Sequence, residues 1–333
     1  MILVTGGTGL LGSHLLFQLA QQDSQIRALY RDESRLKHVK RLFHYYNFEE
    51  AELLFKKIHW VKGDINNIVE LDDAMDGIDF VYHCAGFVSF EGRDFKQLIK
   101  INREGTANIV NCSLEKRIKK LCHVSSTAAI GVEKDGHTSE ETVWKNGKET
   151  SGYSVSKYSA EKEVWRGIEE GLTAVIVNPC VIFGAGYWDE SSLSIFRTVN
   201  SGLRFFTDGS NSFVDARDVA DIMIQLMKSP IKSERFLCTG ENITFKELIS
   251  KIAIGLNKRP PFINTPKWLA GMAWRIAYIG AVLSNIKPTI TRDSANSSFK
   301  KISYNSRKIQ QALNFKFRSI NQTIENTIKG RLD

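Results

Sequence analysis

The sequence lacks the cysteine and histidine patterns of disulfide-bonded or metal-binding proteins. Its five cysteines form no CxxC pair, and most lie in apolar runs, where a thiol packs as a small hydrophobic side chain. The seven histidines show no HExxH or HxH spacing and no Cys/His ligand spacing. We therefore expect a reducing, cytoplasmic location, no disulfide framework and no bound metal.

The sequence also lacks a hydrophobic run long enough to cross a bilayer. The longest, WLAGMAWRIAYIGAVL (268–283), is interrupted by Arg275 and is shorter than the roughly 20 residues that a spanning helix needs. We expect no stable membrane insertion and interpret this run as a buried or substrate-covering helix, with contact to a membrane surface as an alternative. The apolar ILVT (2–5) has no basic segment before it, so we expect a buried strand and no signal peptide.

Charge does not concentrate in one place. The formal net charge is +8, but the basic residues are scattered in short groups such as KHVKR (37–41) and KRIKK (116–120). Such groups are typical of solvated helix faces. We therefore expect a small-molecule partner and no nucleic acid. The chain has 333 residues, of which 42% are hydrophobic, so it can form a sizeable core.

What is present is an alternation of short β-rich runs and amphipathic helical patterns. Strands are predicted at 2–5, 25–31, 58–64, 80–86, 120–126 and 172–179, with helices between them. This alternation predicts an α/β fold with a Rossmann-type, doubly wound parallel sheet. We expect a dinucleotide-binding domain over 1–180 and about 212–240. About 181–211 and 241–333 would form a smaller, mostly C-terminal substrate-binding region.

The segment TGGTGLLG (5–12) places glycines at every third position between the first strand and the first helix. Such glycines permit a tight turn, a close approach of backbone to pyrophosphate, and close helix–strand packing. Free amides at the helix start then bind phosphate. The segment predicts a dinucleotide site that includes Gly6, Thr8, Gly9, Leu10, Leu11 and Gly12.

Three further motifs follow the glycine turn in order: HVSSTAAIG (123–131), YSVSK (153–157) and FVDARDVADI (213–222). Together with the TGxxGxxG spacing they resemble the extended short-chain dehydrogenase/reductase superfamily, also called the NAD-dependent epimerase/dehydratase family. Within it, the chain is similar to the dihydroflavonol 4-reductase-like and 3β-hydroxysteroid dehydrogenase-like branch. Relatives often dimerise, so the resemblance also implies a possible homodimer.

The resemblance implies a catalytic set of Ser126, Tyr153 and Lys157, with Ser126 chosen over Ser125 by its position before Gly131. The residue chemistry agrees. Tyr153 and Lys157 are four apart on one helix face, and a nearby ammonium favours ionisation of a phenol whose ordinary pKa is about 10. Such a tyrosine can exchange a proton with a carbonyl/alcohol pair.

The resemblance also implies contacts to the cofactor elsewhere along the chain. Asp64 and Ile65 would lie near the adenine, and Asn102 would support the cofactor site. The remaining positions, near the ribose and nicotinamide, are Cys84, Ala85, Gly86, Pro179 and Val181.

The end of the second strand lacks the acid that usually binds the ribose of NAD. Tyr30 occupies that position and Arg31 follows, with Arg35 as a second candidate contact. An arginine can bind a 2′-phosphate that an acid would repel. The sequence therefore favours NADP(H), with NAD(H) as the alternative.

The expected reaction follows from two further absences. No acidic pair follows Ser126, which disfavours dehydration. Asn211 and Val181 stand where nucleotide-sugar epimerases commonly carry an arginine and an asparagine. We expect an NAD(P)-dependent oxidoreductase that interconverts a ketone and a secondary alcohol on a moderately apolar molecule. The alternatives are a nucleotide-sugar epimerase with retained NAD and a catalytically silent dinucleotide sensor.

Several aromatic residues are candidates for an apolar substrate pocket, although the same residues could belong to the core. They are Phe87, Phe90, Tyr187, Trp188, Phe205, Phe206 and Trp268.

Overall fold

The computed structural model describes the chain except for residues 23, 134–136, 148–149, 273 and 276–291, and it describes no side chains at 292–294. The strands are β1 Ile2–Thr5, β2 Ile26–Tyr30, β3 Ile58–Lys62, β4 Phe80–His83, β5 Lys120–Val124, β6 His137–Thr138, β7 Ala174–Pro179, β8 Val181–Phe183, β9 Phe205–Phe206, β10 Ser210–Asp215, β11 Glu234–Cys238, β12 Glu241–Thr244, β13 Ile263–Asn264 and β14 Ser303–Tyr304.

The helices surround these strands. They are α1 Leu10–Ala20, α2 Leu36–Tyr46, α3 Ala51–Lys56, α4 Ile68–Met75, α5 Phe95–Leu98, α6 Gly105–Glu115, α7 Gly152–Glu169, α8 Ser194–Asn200, α9 Ala216–Lys228, α10 Phe245–Gly255, α11 Arg292–Ser297, α12 Arg307–Leu313 and α13 Ile320–Lys329. A π-helical segment, Ile99–Glu104, joins α5 to α6.

The main sheet has seven strands in the order β11-β7-β5-β4-β1-β2-β3. Every neighbouring pair is parallel. The order reverses at β1, whose neighbours are β2 and β4, so the carboxyl ends of β1 and β4 frame a crevice at the switch point of the sheet. The predicted fold class is confirmed.

The sheet is buried on both faces, which explains its nearly continuous apolar strands. Along β1, Leu3 packs on one face and Val4 on the other; along β7, Ile176 and Val177 do the same. Helices α1, α2 and α9 cover the Val4 face, and α4, α6 and α7 cover the Leu3 face.

A second, smaller core lies beyond the main sheet. In the three-stranded sheet β12-β10-β8, β10 is antiparallel to β12 and parallel to β8. Phe183 and Phe213 of this sheet pack with Phe196 of α8 and with apolar residues of α10 and α13. The C-terminal α12 instead contacts the large layer, where Ile309 joins the core beside α9. The domain division proposed from the sequence stays a prediction.

Three predicted strands end two or three residues earlier than expected. β3 ends at Lys62, β4 at His83 and β5 at Val124, and residues of the segments after them line the crevice. Part of the predicted apolar helix, 276–283, lies outside the described residues. Within the described residues, no helix combines the length and apolar character that crossing a bilayer requires.

Candidate functional site at the sheet switch point

The glycine turn after β1 is packed so tightly that side chains cannot fit. Gly6 has φ +69°, and a Cβ there would lie 2.5 Å from the backbone nitrogen of Ala85. A Cβ at Gly12 would collide with the carbonyl oxygen of Gly6. The turn therefore brings the start of α1, the end of β1 and the segment after β4 into direct backbone contact.

The amino end of α1 carries no side-chain cap. Gly9 precedes the helix, and no acidic residue occupies the first turn. The unpaired amides and the positive end of the helix dipole therefore favour a phosphate group at this position. These features fit a dinucleotide cofactor, whose pyrophosphate the turn and helix start would hold.

The turn opens into a cleft of about 2030 Å³. That exceeds the roughly 300–1,000 Å³ of a single ligand pocket, so the cleft has room for a dinucleotide and a second molecule. Most residues predicted for the site line this cleft. They are Gly6, Thr8, Gly9, Leu10, Leu11, Gly12, Arg31, Ile65, Cys84, Ala85, Gly86, Ser126, Tyr153 and Val181.

Four predicted residues are not among those that line the cleft. Pro179 is buried at the end of β7. Asp64 accepts hydrogen bonds from the backbone and side-chain nitrogens of Asn66, at 2.9 and 3.1 Å. The other two, Asn102 and Lys157, are buried directly beneath the residues that face the cleft.

Asn102 fixes the segment that follows β4. Its Oδ1 accepts from the Phe87 nitrogen at 2.7 Å, and its Nδ2 donates to the Phe87 carbonyl and to Ser156 Oγ, both at 2.9 Å. The residue lies in the π-helical segment, a local geometry often found at functional sites. Asn102 thus ties the floor of the cleft to α7.

Ser126 and Tyr153 face the cleft together. Burial raises the pKa of Tyr153, and hydrogen bonding with the nearby Ser126 side chain opposes that increase. This direction is opposite to the expected lowering by Lys157. Ser125 is turned away: its Oγ donates to Glu161 Oε2 at 2.7 Å.

Lys157 lies one helical turn after Tyr153, and its ammonium points towards the end of β5. Nζ donates to the carbonyl of Val124 at 2.8 Å. Burial lowers the pKa of Lys157 to about 8, while the charge of Glu161 counteracts the effect. A Cβ on Gly86 would lie 3.8 Å from Nζ, so the ammonium lies just beneath the cleft floor.

The two arginines after β2 have different surroundings. The Arg31 side chain is 62% exposed, and its guanidinium lies 3.9 Å from the Asp64 carboxylate. Arg35 instead donates from Nη2 to both carboxylate oxygens of Glu190, at 2.7 and 2.6 Å. Arg31 is therefore the more available cation at this end of the cleft.

Sequence analysis missed Trp144, Glu190 and Tyr304, which all line the cleft. Trp144 stacks on Tyr158 at 4.1 Å between ring centres, and its indole nitrogen donates to Ser154 Oγ at 2.9 Å. No spacing pattern joins these residues in the sequence, because tertiary packing alone brings them together.

The aromatic candidates divide into two groups. Phe87, Phe90 and Tyr187 line the cleft. The other four do not: Trp188 and Phe206 are buried away from it, and Phe205 and Trp268 are exposed. In the described part of the chain, no group of three or more His, Cys, Asp or Glu side chains is arranged to hold a metal ion.

Comparisons with known proteins agree with this geometry. The family model described as "NAD dependent epimerase/dehydratase family" matches residues 2–237. A putative dihydroflavonol 4-reductase from Synechocystis is 29% identical over 335 residues, covering 98% of this chain and 92% of that protein. Sterol demethylase protein B from Methylococcus capsulatus is 28% identical over 276 residues, covering 81% and 79%.

Among solved structures, the crystal structure of gox2253 superposes with a TM-score of 0.79 at 25% identity, covering 98% of this chain and 96% of the other. The family match spans the glycine turn, the main sheet and the Ser126–Tyr153–Lys157 group. The chain belongs to the NAD-dependent epimerase/dehydratase family of extended short-chain dehydrogenase/reductase enzymes.

Proposed function

We propose that this protein is an NADP(H)-dependent reductase or dehydrogenase that interconverts a ketone and a secondary alcohol on a moderately apolar small molecule. The observation that carries the proposal is the placement of Ser126 and Tyr153 together on the cleft wall, with the Lys157 ammonium buried behind them. This arrangement suits a carbonyl oxygen that must be oriented and then protonated.

In the reducing direction, the glycine turn and the start of α1 would hold NADPH, which would supply a hydride for the carbonyl carbon. The Tyr153 hydroxyl protonates the carbonyl oxygen, and the raised pKa of Tyr153 keeps that proton in place near neutral pH. Ser126 hydrogen-bonds the same oxygen and stabilises the charge that develops on it. Lys157 supplies a positive charge beneath the site, close to the floor residue Gly86.

The lining of the cleft near Tyr153 supports an apolar substrate. Phe90 packs edge-on against the Tyr153 ring at 5.6 Å between ring centres. Val132, Val143 and Trp144 line the same cleft. Apolar walls with a few convergent polar groups are typical of small-molecule sites. The names of the two relatives, a dihydroflavonol reductase and a sterol demethylase component, point in the same direction.

The preference for NADP(H) rests on Arg31. Its exposed guanidinium lies on the cleft wall immediately after β2, where an acid would select NAD. A 2′-phosphate would gain charge-assisted hydrogen bonds there. Its carboxylate partner is Asp64, 3.9 Å away, which also accepts hydrogen bonds from Asn66.

The alternative of a nucleotide-sugar epimerase is weaker. Asn211 and Val181, which stand where epimerases carry an arginine and an asparagine, both line the cleft. The arginine and the asparagine with which epimerases bind a nucleotide-sugar are therefore both replaced in this cleft. A silent sensor is also disfavoured, since Tyr153, Ser126 and Lys157 are all assembled at the cleft.

A turnover assay tests the proposal. Protein stripped of nucleotide is incubated with NADPH and a panel of apolar cyclic and aromatic ketones, and loss of NADPH absorbance is followed. We expect consumption of NADPH in proportion to alcohol formed. Failure with every ketone, combined with tightly retained NAD and epimerisation of a UDP-sugar, would overturn the proposal in favour of the epimerase.

A further inference from the structure

Glu161 is a buried carboxylate that the proposed reaction does not use. It follows Lys157 by four residues on α7, and its side chain is only 3% exposed. It accepts four hydrogen bonds: from Ser125 Oγ and Asn178 Nδ2, both at 2.7 Å, from Arg235 Nη1 at 3.0 Å and from Trp165 Nε1 at 3.3 Å. Burying a carboxylate is costly, so a complete set of donors is needed to keep it there.

Two of these donors connect Glu161 to the segment that carries Ser126. Asn178 Nδ2 bonds both Glu161 and the Ser126 carbonyl, the latter at 3.1 Å. Ser125, the preceding residue, is held by Glu161 directly. The backbone on both sides of the Ser126 side chain is thus fixed by one carboxylate, which leaves the Ser126 hydroxyl directed to the cleft.

The same carboxylate acts on Lys157. Its charge raises the pKa of that amine, against the lowering by burial. The other titratable groups around the ammonium are His83 on β4, Cys84 directly after that strand and His123 on β5. Burial raises the pKa of Cys84 to about 12, lowers that of His83 to about 3 and lowers that of His123 well below its ordinary range. These three are therefore uncharged near neutral pH and do not act on the ammonium as charges.

We propose that Glu161 is a positioning residue of the Ser126–Tyr153–Lys157 group: it fixes the Ser126 segment and, one helical turn along α7, provides the carboxylate that acts on the Lys157 ammonium. The inference rests on the proposed function for the role of that group. Arg235, 23% exposed on β11, pairs with Glu161 and completes the network from the far side.

The experiment measures Lys157 directly and needs no substrate. Protein labelled with ¹³C at the lysine ε-carbons is titrated by NMR, and the Lys157 signal is assigned by its loss in Lys157→Arg. In Glu161→Gln we expect the titration midpoint to fall by about one to three pH units, the usual effect of removing a nearby opposite charge. In Arg235→Met, which breaks the same ion pair but keeps the carboxylate, we expect the midpoint to stay or rise.

Because Glu161→Gln leaves the partly buried Arg235 without its carboxylate partner, the double variant Glu161→Gln/Arg235→Met serves as the second test. It removes both charges, and we expect the same fall as in Glu161→Gln. An unchanged midpoint in both carboxylate variants overturns the inference, as does an equal fall in Arg235→Met, which would indicate general damage to packing.

A turnover measurement then distinguishes the proposed role of Glu161 from the proposed ketone reduction. If NADPH-dependent ketone reduction is found, the high-pH limit of kcat should move to lower pH in Glu161→Gln. A shifted Lys157 midpoint without ketone reduction by the wild type leaves Glu161 acting on Lys157 and overturns the proposed function instead.

Discussion

The two ends of the cleft are built in different ways. At the dinucleotide end, the surface is largely backbone: Gly6, Gly9 and Gly12 lie within seven consecutive residues, and at Gly6 and Gly12 there is no room for a side chain. At the substrate end, the surface consists of side chains from distant segments, such as Phe90, Trp144 and Tyr304.

This difference teaches why one end could be predicted and the other could not. A backbone-built site needs a specific residue type at each of a few neighbouring positions, and that need is visible as a motif. A side-chain-built site needs only the right shape after folding, so many residue types satisfy it and the sequence pattern stays uninformative.

The largest effect is expected for Tyr153→Phe, which should abolish most turnover and leave cofactor binding intact. Tyr153→Phe removes the hydroxyl that donates the proton, and we expect kcat for ketone reduction to fall about 10²–10⁴-fold, the usual contribution of a general acid. NADPH affinity should change little. Tyr45→Phe, which removes a hydroxyl bonded to Asn326 outside the cleft, is the control and should keep full turnover. Equal kcat in Tyr153→Phe and wild type would exclude the proposed role.

A change at Gly12 is expected to weaken cofactor binding instead. Gly12→Ala places a methyl group against the Gly6 carbonyl, so α1 must shift from the turn at a cost of about 1–3 kcal/mol. We expect affinity for NADPH and NADH to fall together by about ten- to a hundredfold in a fluorescence titration.

Gly92→Ala is the matched control for that variant. Nothing lies within 4 Å of the position a Cβ would occupy at Gly92, and the residue does not line the cleft. Its cofactor affinities should equal those of the wild type. Normal binding by Gly12→Ala would mean that the close contact in the turn is not needed for the dinucleotide.

A smaller effect, selective for one cofactor, is expected at Arg31. In Arg31→Met we expect NADPH affinity to fall about tenfold, or 1.4 kcal/mol, with NADH affinity nearly unchanged. The reason is that the 2′-phosphate alone requires the guanidinium. The ratio of the two dissociation constants is the measurement, and an equal loss for both cofactors would contradict the assignment.

For individual residues too, local patterns predicted some features of the site, and others depend on tertiary packing. The alternation of strands and helices along the chain and the glycine turn were predicted from local patterns. The structure brings Ser126 and Tyr153 together at the cleft. The direction of the Tyr153 pKa did not follow, because it depends on how deeply the fold buries the phenol and on Lys157 being directed to the Val124 carbonyl. Spacing along a helix places two side chains on one face but does not say how much water reaches them.

Glu190 joins the two ends, and the smallest effect is expected there. It lies in the segment between β8 and α8 yet binds Arg35, next to the dinucleotide end, while His38 stacks on Tyr187 at 3.8 Å across the same boundary. All four residues line the cleft, so these contacts join the segment after β2 to the segment after β8. They would have to open for a cofactor to leave.

We therefore expect Glu190→Gln to release NADPH and NADH about two- to fivefold faster in stopped-flow displacement, matching the roughly 0.5–1 kcal/mol of a half-exposed ion pair. Asp189→Asn removes the neighbouring carboxylate, which pairs with Arg197 away from the cleft, and should leave release unchanged. Slower release of NADPH alone would instead show that Arg35, once freed, binds the 2′-phosphate. In that case the two ends of the cleft compete for one guanidinium rather than closing over a shared ligand.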